Sequence, residues 1–149
     1  GCGCNYIILD HISIVVSGME GGDERRAIDN MMTKLRGLTE EVNCGMILVS
    51  HLKRPQGNKG HEDGARTSMA QLRGSAAIGQ LSDIVIGCER DQQGEYPDRT
   101  TVRILKNRWT GETGECCFLD YDKATGRLNE VSGVVDFDEE DSIPFEKDF

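Results

Sequence analysis

Two short apolar runs in this sequence end in side chains that can take part in phosphate chemistry. Residues 6–9 (YIIL) lead into Asp10, and residues 46–49 (MILV) lead into Ser50 and His51. A carboxylate at the end of a buried strand can hold Mg²⁺ beside nucleotide phosphates, and a histidine there can contact a γ-phosphate. Apolar strands also end in Asp simply where a loop begins, and a capping or surface histidine is an equally good interpretation.

A basic stretch supplies a second candidate for phosphate contact. Between His51 and Arg73 five cationic side chains oppose only two acidic ones; the cations are Lys53, Arg54, Lys59, Arg66 and Arg73. Arg73, Gly74 and Ser75 combine a guanidinium, a flexible backbone and a hydroxyl, which together can grip a phosphate. The same three residues would equally suit the start of a helix with a solvated arginine.

Arg108 is a third candidate because of its place beside a turn. It lies in KNRWTG at residues 106–111, directly after an alternating apolar and polar segment, so a hairpin should aim it outward. An outward guanidinium can stabilise the charge on a phosphoryl group bound by a neighbouring subunit. Most outward arginines are merely solvated, and Trp109 beside it is equally well explained as a packing or interface residue.

The elements that would position Asp10 and His51 can be predicted from hydrophobic periodicity. Residues 6–9 and 46–49 are short, apolar and rich in β-branched residues, as in strands that are buried on both faces. Between them, apolar residues recur at three- and four-residue steps from an N-cap at Asp23 to about residue 43. Strand, helix and strand imply a parallel crossover, and hence an α/β fold.

The remaining elements follow from turn signals and alternation. Residues 54–68 lack periodicity and should form a long loop, and a short helix is expected from about 69 to 81. Residues 84–86 resemble a third buried strand, while 101–106 and 116–121 flank a turn and should form a hairpin. The sequence therefore predicts a parallel sheet extended by antiparallel strands.

Composition and charge set the broader organisation. With 37% hydrophobic and 29% charged residues among 149, one soluble domain over residues 1–131 is expected. Residues 132–149 should be a disordered acidic tail, since from Val134 onward seven acidic residues oppose one lysine, giving −6 of the chain's net −9. No run approaches the roughly 20 apolar residues of a membrane span and no signal peptide is evident, so the expected location is the cytoplasm. The six cysteines lack zinc-site spacing and are interpreted as reduced thiols.

Four segments, taken in order and spacing, resemble the helicase half of bifunctional phage primase-helicases. They are IILDHIS at 7–13, SHLK at 50–53, LRGS at 72–75 with QLSD at 80–83, and KNRWTG at 106–111. The resemblance runs from about Tyr6 to Asn129, and Twinkle and DnaB are similar at greater distance. It implies a partial RecA-like P-loop NTPase core, because no Gly-x-x-x-x-Gly-Lys-Ser/Thr loop occurs in these residues and the family's catalytic glutamate would also lie upstream.

The resemblance implies roles for particular residues around an NTP. Asp10 would be the Walker B aspartate that holds Mg²⁺, and His51 would sense the γ-phosphate. Arg108 would be an arginine finger acting on the neighbouring subunit. Arg90 and Tyr121 would sandwich the base, of dTTP or ATP.

The resemblance also implies partners, and the cytoplasm of a phage-infected host cell as the place where they meet. Lys53, Lys59, Arg73 and Gly74 would line a channel for single-stranded DNA in a homo-hexamer that moves 5′ to 3′. Phe149, at the end of the acidic tail, would help recruit the replicative DNA polymerase, although an inert solubilising tail is an alternative.

Two other functions remain open at this point. One is a RecA-like recombinase or another ring ATPase, against which the acidic tail and the hairpin at Arg108 argue. The other is a non-catalytic module that binds single-stranded DNA or a partner through the basic stretch and the tail. Without the phosphate-binding loop, the 149 residues alone are expected to bind nucleotide poorly and not to hydrolyse it.

Overall fold

The computed structural model describes residues 3–17, 24–55, 59–72 and 76–131. Arg73, Gly74 and Phe149, like the predicted acidic tail, lie outside these residues. In chain order the elements are β1 (Tyr6–Leu9), α1 (Ile12–Ser17), α2 (Glu24–Val42), β2 (Gly45–Leu48), a 3₁₀ helix (Met69–Gln71), α3 (Ala76–Leu81), β3 (Ile84–Arg90), β4 (Arg99–Asn107), β5 (Gly114–Asp122) and β6 (Arg127–Glu130).

The predicted strand, helix and strand at the start of the chain are confirmed. β1 and β2 pair in parallel, with Tyr6 opposite Gly45 and Leu9 opposite Leu48. The long helix α2 ends where expected, because Asn43 adopts a left-handed conformation with φ of 50°. Asparagine tolerates that conformation better than most residues, so it stops the helix and turns the chain into β2.

A small apolar core fixes α1, α2 and α3 against this parallel pair. Its buried members are Ile12, Ile28, Met32 and Ile78, and Leu48 of β2 packs against them. Ile28 and Met32 are four residues apart on α2, so they share the face of the helix that the periodicity predicts. The core therefore holds β2, and with it the residues that follow it, against these helices.

The antiparallel strands form a second sheet. β3, β4, β5 and β6 are neighbours in that order, and the described residues contain no hydrogen-bonded pairing between this sheet and the β1–β2 pair. The hairpin predicted around residues 107–114 is confirmed as the β4–β5 connection. The prediction of one parallel sheet extended by antiparallel strands is therefore wrong in its connectivity, because β3 pairs with β4 and not with β2.

Burial of the strands was also predicted wrongly. Tyr6 and Ile8 of β1 are 69% and 70% exposed, and Ile86 of β3 is 56% exposed. In β3 the burial alternates along the strand, with Val85, Gly87 and Glu89 inside. An apolar run indicates that a strand can be buried, but it does not indicate whether other elements cover one face of the strand or both.

The helix predicted from about 69 to 81 is interrupted. Only Met69–Gln71 and Ala76–Leu81 are helical, and the residue between them that is described, Leu72, forms an isolated β-bridge with Leu52. A long-range backbone pair thus overrides local helical propensity. Helix α1 and strand β6 were not predicted. Within the described part of the chain, no helix is both long and apolar enough to cross a membrane.

Candidate functional site

The carboxyl ends of β1 and β2 bring Asp10 and His51 to one edge, as the sequence predicted. Val49 donates its N–H to the carbonyl of Leu9 over 2.9 Å, which continues the strand pairing up to the residues that carry the polar groups. The exposed Asp10 follows β1 directly, and the exposed His51 lies just beyond the end of β2. Ligands of open α/β sheets bind at such an edge, so the two side chains can face a common ligand.

His11 belongs to the same edge and was not predicted as a site residue. Its ring meets that of His51 edge to face, with the centroids 4.1 Å apart and the planes at 66°. Among the described residues, the buried Nδ1 of His11 has no hydrogen-bond partner. His11 therefore limits the orientations that the His51 ring can adopt, and only its position next to Asp10 could have signalled this in the sequence.

Backbone hydrogen bonds join the two ends of the basic stretch between His51 and Arg73, which is called the basic loop from here on. Lys53 donates its N–H to the carbonyl of Gln71 over 2.7 Å, and the Leu52–Leu72 bridge lies beside it. His61 places its Nε2 2.9 Å from the carbonyl of Lys53. The loop that starts directly after His51 is thus tied back to its own far end. The predicted DNA-binding residues Lys53 and Lys59 are both exposed on it.

Arg90 and Tyr121 lie at one end of the antiparallel sheet, and both contact Asp98. Arg90 donates from Nη2 to Oδ1 of Asp98 over 2.9 Å and from Nε to the carbonyl of Pro97 over 2.6 Å. Tyr121 donates its backbone N–H to the carbonyl of Asp98 over 3.0 Å. Lys123 also pairs with Asp98, at 2.5 Å. Asp98 was not predicted as a site residue, but it contacts both Arg90 and Tyr121, which were.

Arg108 stands at the start of the β4–β5 turn, on the other sheet from Asp10 and His51. Its side chain is 63% exposed, and its Nη1 donates to Oδ1 of Asp83 over 3.1 Å. Arg36 of α2 donates to the other oxygen of Asp83 over 2.7 Å. The hydrogen bond from Arg36, with a further one from Arg108, holds the pKa of Asp83 below its ordinary value although burial opposes this.

Lys106 joins the strand that carries Arg108 to helix α3. Its Nζ donates to the carbonyls of Gly79, Gln80 and Ser82, at 2.8, 3.2 and 2.8 Å. These carbonyls lie at the C-terminal end of α3, where backbone acceptors lack helical partners and a cation is favoured.

A buried ion pair links the antiparallel sheet to the far end of the basic loop. Arg103 donates to both carboxylate oxygens of Glu89, over 2.8 and 3.2 Å, and both side chains are only 8% exposed. Thr67 donates its N–H and its hydroxyl to the same Glu89 oxygen, each over 2.7 Å. Burial raises the pKa of Glu89, but the bonds from Arg103 and Thr67 outweigh it and hold that pKa below its ordinary value.

The metal-binding capacity of the site rests on one side chain. Within residues 3–17, 24–55, 59–72 and 76–131, no group of three or more His, Cys, Asp or Glu side chains could hold a metal ion. Mg²⁺ in nucleotide sites uses one or two carboxylates together with phosphate oxygens. The exposed carboxylate of Asp10 could therefore serve as the single protein carboxylate that such a site needs.

Solved structures share this fold. The chain superposes on a solved ATPase domain with a TM-score of 0.68 at 20% identity, over 85% of this chain and 44% of that one. It matches a DnaB-like replicative helicase, described together with its interactions with primase, with the same TM-score at 22% identity, over 83% of this chain and 30% of that one. At these identities the likeness shows the fold alone.

Sequence comparison gives the family. Residues 2–130 match the model of the DnaB-like helicase C terminal domain, and the chain belongs to that family. It is 48% identical over 132 residues to the DNA helicase/primase of Enterobacteria phage T3, covering 89% of this chain and 23% of that protein. It is 27% identical over 111 residues to the chloroplastic/mitochondrial Twinkle homolog protein of Arabidopsis thaliana, covering 72% of this chain and 15% of that protein. The chain thus spans less than a quarter of the length of these relatives.

Proposed function

We propose that this chain is part of the motor of an NTP-hydrolysing replicative DNA helicase. The observation that carries the proposal is that Asp10 and His51 follow the carboxyl ends of two paired parallel strands, at one edge, in a chain of the DnaB-like helicase family. The phage T3 relative, 48% identical, is itself a DNA helicase/primase. The complete motor would couple hydrolysis to movement along single-stranded DNA in the 5′ to 3′ direction.

Asp10 and His51 would contact different parts of the bound nucleotide and its metal ion. Asp10 would hold Mg²⁺, and the ion would supply positive charge to offset the negative charge that develops as the terminal phosphoryl group is transferred. His51 would contact the γ-phosphate. Because the loop begins directly after His51 and is tied to itself at Lys53, a movement of His51 on loss of that phosphate would be passed to the loop.

Arg108 would complete a neighbour's site. A largely exposed guanidinium at the start of a hairpin turn can reach another subunit, and among the described residues its one side-chain hydrogen bond, to Asp83, leaves most of its donors available. A finger of this kind stabilises the charge of the transition state and is worth roughly 10³–10⁵ in rate. Arg90 and Tyr121, held by Asp98, would contact the base of dTTP or ATP.

The DNA would run along the basic loop of a homo-hexamer. Lys53 and Lys59 would contact phosphates, with Arg73 and Gly74 following them in the chain. Such contacts tolerate any sequence because the phosphate backbone is the same at every base. The acidic tail ending at Phe149 would recruit the replicative DNA polymerase.

A chimaera tests the proposal, with residues 1–149 replacing the matching stretch of the phage T3 DNA helicase/primase. We expect NTP hydrolysis that single-stranded DNA stimulates. Arg108→Ala should abolish it, and mixing Arg108→Ala with Asp10→Asn subunits should restore part of it, since some interfaces then combine an intact Asp10 with an intact Arg108.

The control variant is Arg127→Ala, a change at an exposed residue of β6 that touches none of these groups. Normal hydrolysis by Arg108→Ala would show that the site is wrongly assigned. A chimaera that binds DNA yet hydrolyses no NTP in any combination would instead support the non-catalytic module.

A further inference from the structure

The basic loop is fastened to the end of β3 at three points. Thr67 is bound by Glu89, Asp63 forms an isolated β-bridge with Asp91, and Gln92 donates its N–H to the carbonyl of Glu62 over 2.9 Å. These attachments are independent of the closure of the loop at Lys53. The loop is therefore closed on itself at Lys53 and attached separately to the end of β3.

Glu89 is the buried member of this set. Its carboxylate accepts four hydrogen bonds, two from Arg103 and two from Thr67, at 2.7 to 3.2 Å. Arg103 in turn donates over 2.6 Å to Glu115 of β5. Loop, β3, β4 and β5 thus meet around one carboxylate, which burial shields from bulk water.

Glu89 is adjacent in sequence to Arg90, one of the two residues proposed to hold the base. Side chains of neighbouring strand residues point to opposite faces of a sheet. Glu89 therefore faces the loop while Arg90 faces Asp98 on the other side. A shift of β3 at Arg90 must move Glu89, and with it Thr67, because a strand backbone is continuous and the carboxylate is fully bonded.

Gly87 shows how closely the loop approaches the strand. A Cβ on Gly87 would overlap the hydroxyl of Thr67, so only glycine leaves the space in which Thr67 reaches Glu89. The approach occurs on the inner face of β3, which also carries Glu89.

We propose that Glu89 is a positioning residue that couples the base-binding end of the sheet to the DNA-binding loop. This inference rests on the proposed function and deepens it: the loop would respond to the γ-phosphate through His51 and, separately, to the base through Arg90 and Glu89. The base would then contribute to the strength of DNA binding, beyond the contribution of the triphosphate.

The test separates the two routes by choice of ligand. In the chimaera, the affinity for a labelled oligo-dT strand is measured without ligand, with a saturating non-hydrolysable nucleoside triphosphate, and with saturating inorganic tripolyphosphate, which has no base. The ratio of the two ligand-bound affinities reports the base-dependent part of the coupling. Coupling free energies are reciprocal, so nucleotide affinity measured with and without DNA must give the same factor.

Glu89→Gln should reduce the base-dependent ratio by about fivefold or more, the lower end of typical coupling between sites, and leave tripolyphosphate coupling unchanged. Glu115→Gln is the matched control, because it removes another carboxylate bond of Arg103 without touching the loop. It should keep the wild-type ratio. A merely structural role of Glu89 would weaken DNA binding equally with both ligands.

A wild-type ratio in Glu89→Gln would overturn the inference. If neither ligand changes DNA binding by the unmodified chimaera, the proposed function itself is wrong. That result differs from failure of the inference alone, in which the ligands still act but Glu89→Gln has no effect. Gly87→Ala is the second variant, since it displaces Thr67 while keeping the Glu89–Arg103 pair. It should lower the ratio in the same direction even if Glu89→Gln does not fold.

Discussion

Replacing Arg103 with leucine should destabilise the domain strongly, because it leaves Glu89 as an unpaired buried charge. Removing one partner of a buried ion pair costs about 3–5 kcal/mol. Glu89 keeps its two bonds from Thr67, so we expect the lower end of that range, about 3 kcal/mol. The free energy of unfolding is measured for the 149-residue chain by urea titration followed by far-UV circular dichroism.

The double variant Glu89→Leu with Arg103→Leu shows whether the loss of stability in Arg103→Leu comes from the unpaired charge of Glu89 or from the loss of the ion pair itself. Apolar replacement of a whole buried pair is often neutral, but here it deprives the N–H of Thr67 of its acceptor, which costs about 1–3 kcal/mol. The double variant should therefore be more stable than Arg103→Leu alone. A double variant as unstable as the single one, or less stable, would refute this reasoning.

The pH dependence gives a second signature of the same pair. The pKa of Glu89 is lowered in the folded chain, so its stabilising contribution is fully present above the unfolded pKa of about 4.3 and is lost as the pH falls through the folded value. In the Arg103→Leu variant the guanidinium no longer offsets the effect of burial, which raises the pKa of Glu89. Acid should then narrow the difference in stability between wild type and this variant, and a difference that does not depend on pH would contradict the assignment.

Three further changes test the loop and the core. Lys59→Ala should reduce the slope of log affinity for single-stranded DNA against log salt by about 0.7, the share of one phosphate contact, and an unchanged slope would remove Lys59 from the interface. Ile28→Ala should lower the free energy of unfolding by about 2–5 kcal/mol, whereas Leu38→Ala on the exposed side of the same helix should change it by about 0.5 kcal/mol, so equal losses in urea titrations would contradict the packing. Gly79→Ala places a Cβ 2.5 Å from Cε of Met69, the far end of a flexible side chain, so the methionine should move aside and the better helix propensity of alanine should keep the free energy of unfolding within about 1 kcal/mol of wild type; a larger loss in the same titration would contradict this.

The sequence predicted best those elements whose signals are local. The three- and four-residue steps around Ile28 and Met32 define α2, and the turn residues at 107–114 define the hairpin. The ends of β1 and β2 could be placed together because parallel strands bring their carboxyl ends to one edge. The resemblance to phage primase-helicases is confirmed by the family match over residues 2–130.

Features that depend on distant partners were missed. Leu72 leaves the expected helix because it pairs with Leu52, which lies far back along the chain. Glu89 binds Thr67 and Arg103, which are 22 and 14 residues away, and no local pattern reports such a meeting. A signal did exist, since Glu89 occupies an inward position of the alternating strand β3 and an inward charge requires a partner. The roles of Asp10, His51, Arg90, Arg108 and Tyr121 stay predictions until they are measured.

The cap that Lys106 places on α3 has a mechanical consequence for the whole domain. Three bonds from one ammonium group fasten β4, just before Arg108, to the last turn of that helix. We therefore expect a displacement of the hairpin to be transmitted to the C-terminal end of α3. Helix α3 begins at Ala76, directly after the residues predicted to touch DNA, so a contact that an adjoining molecule makes with Arg108 would be felt close to the DNA-binding residues.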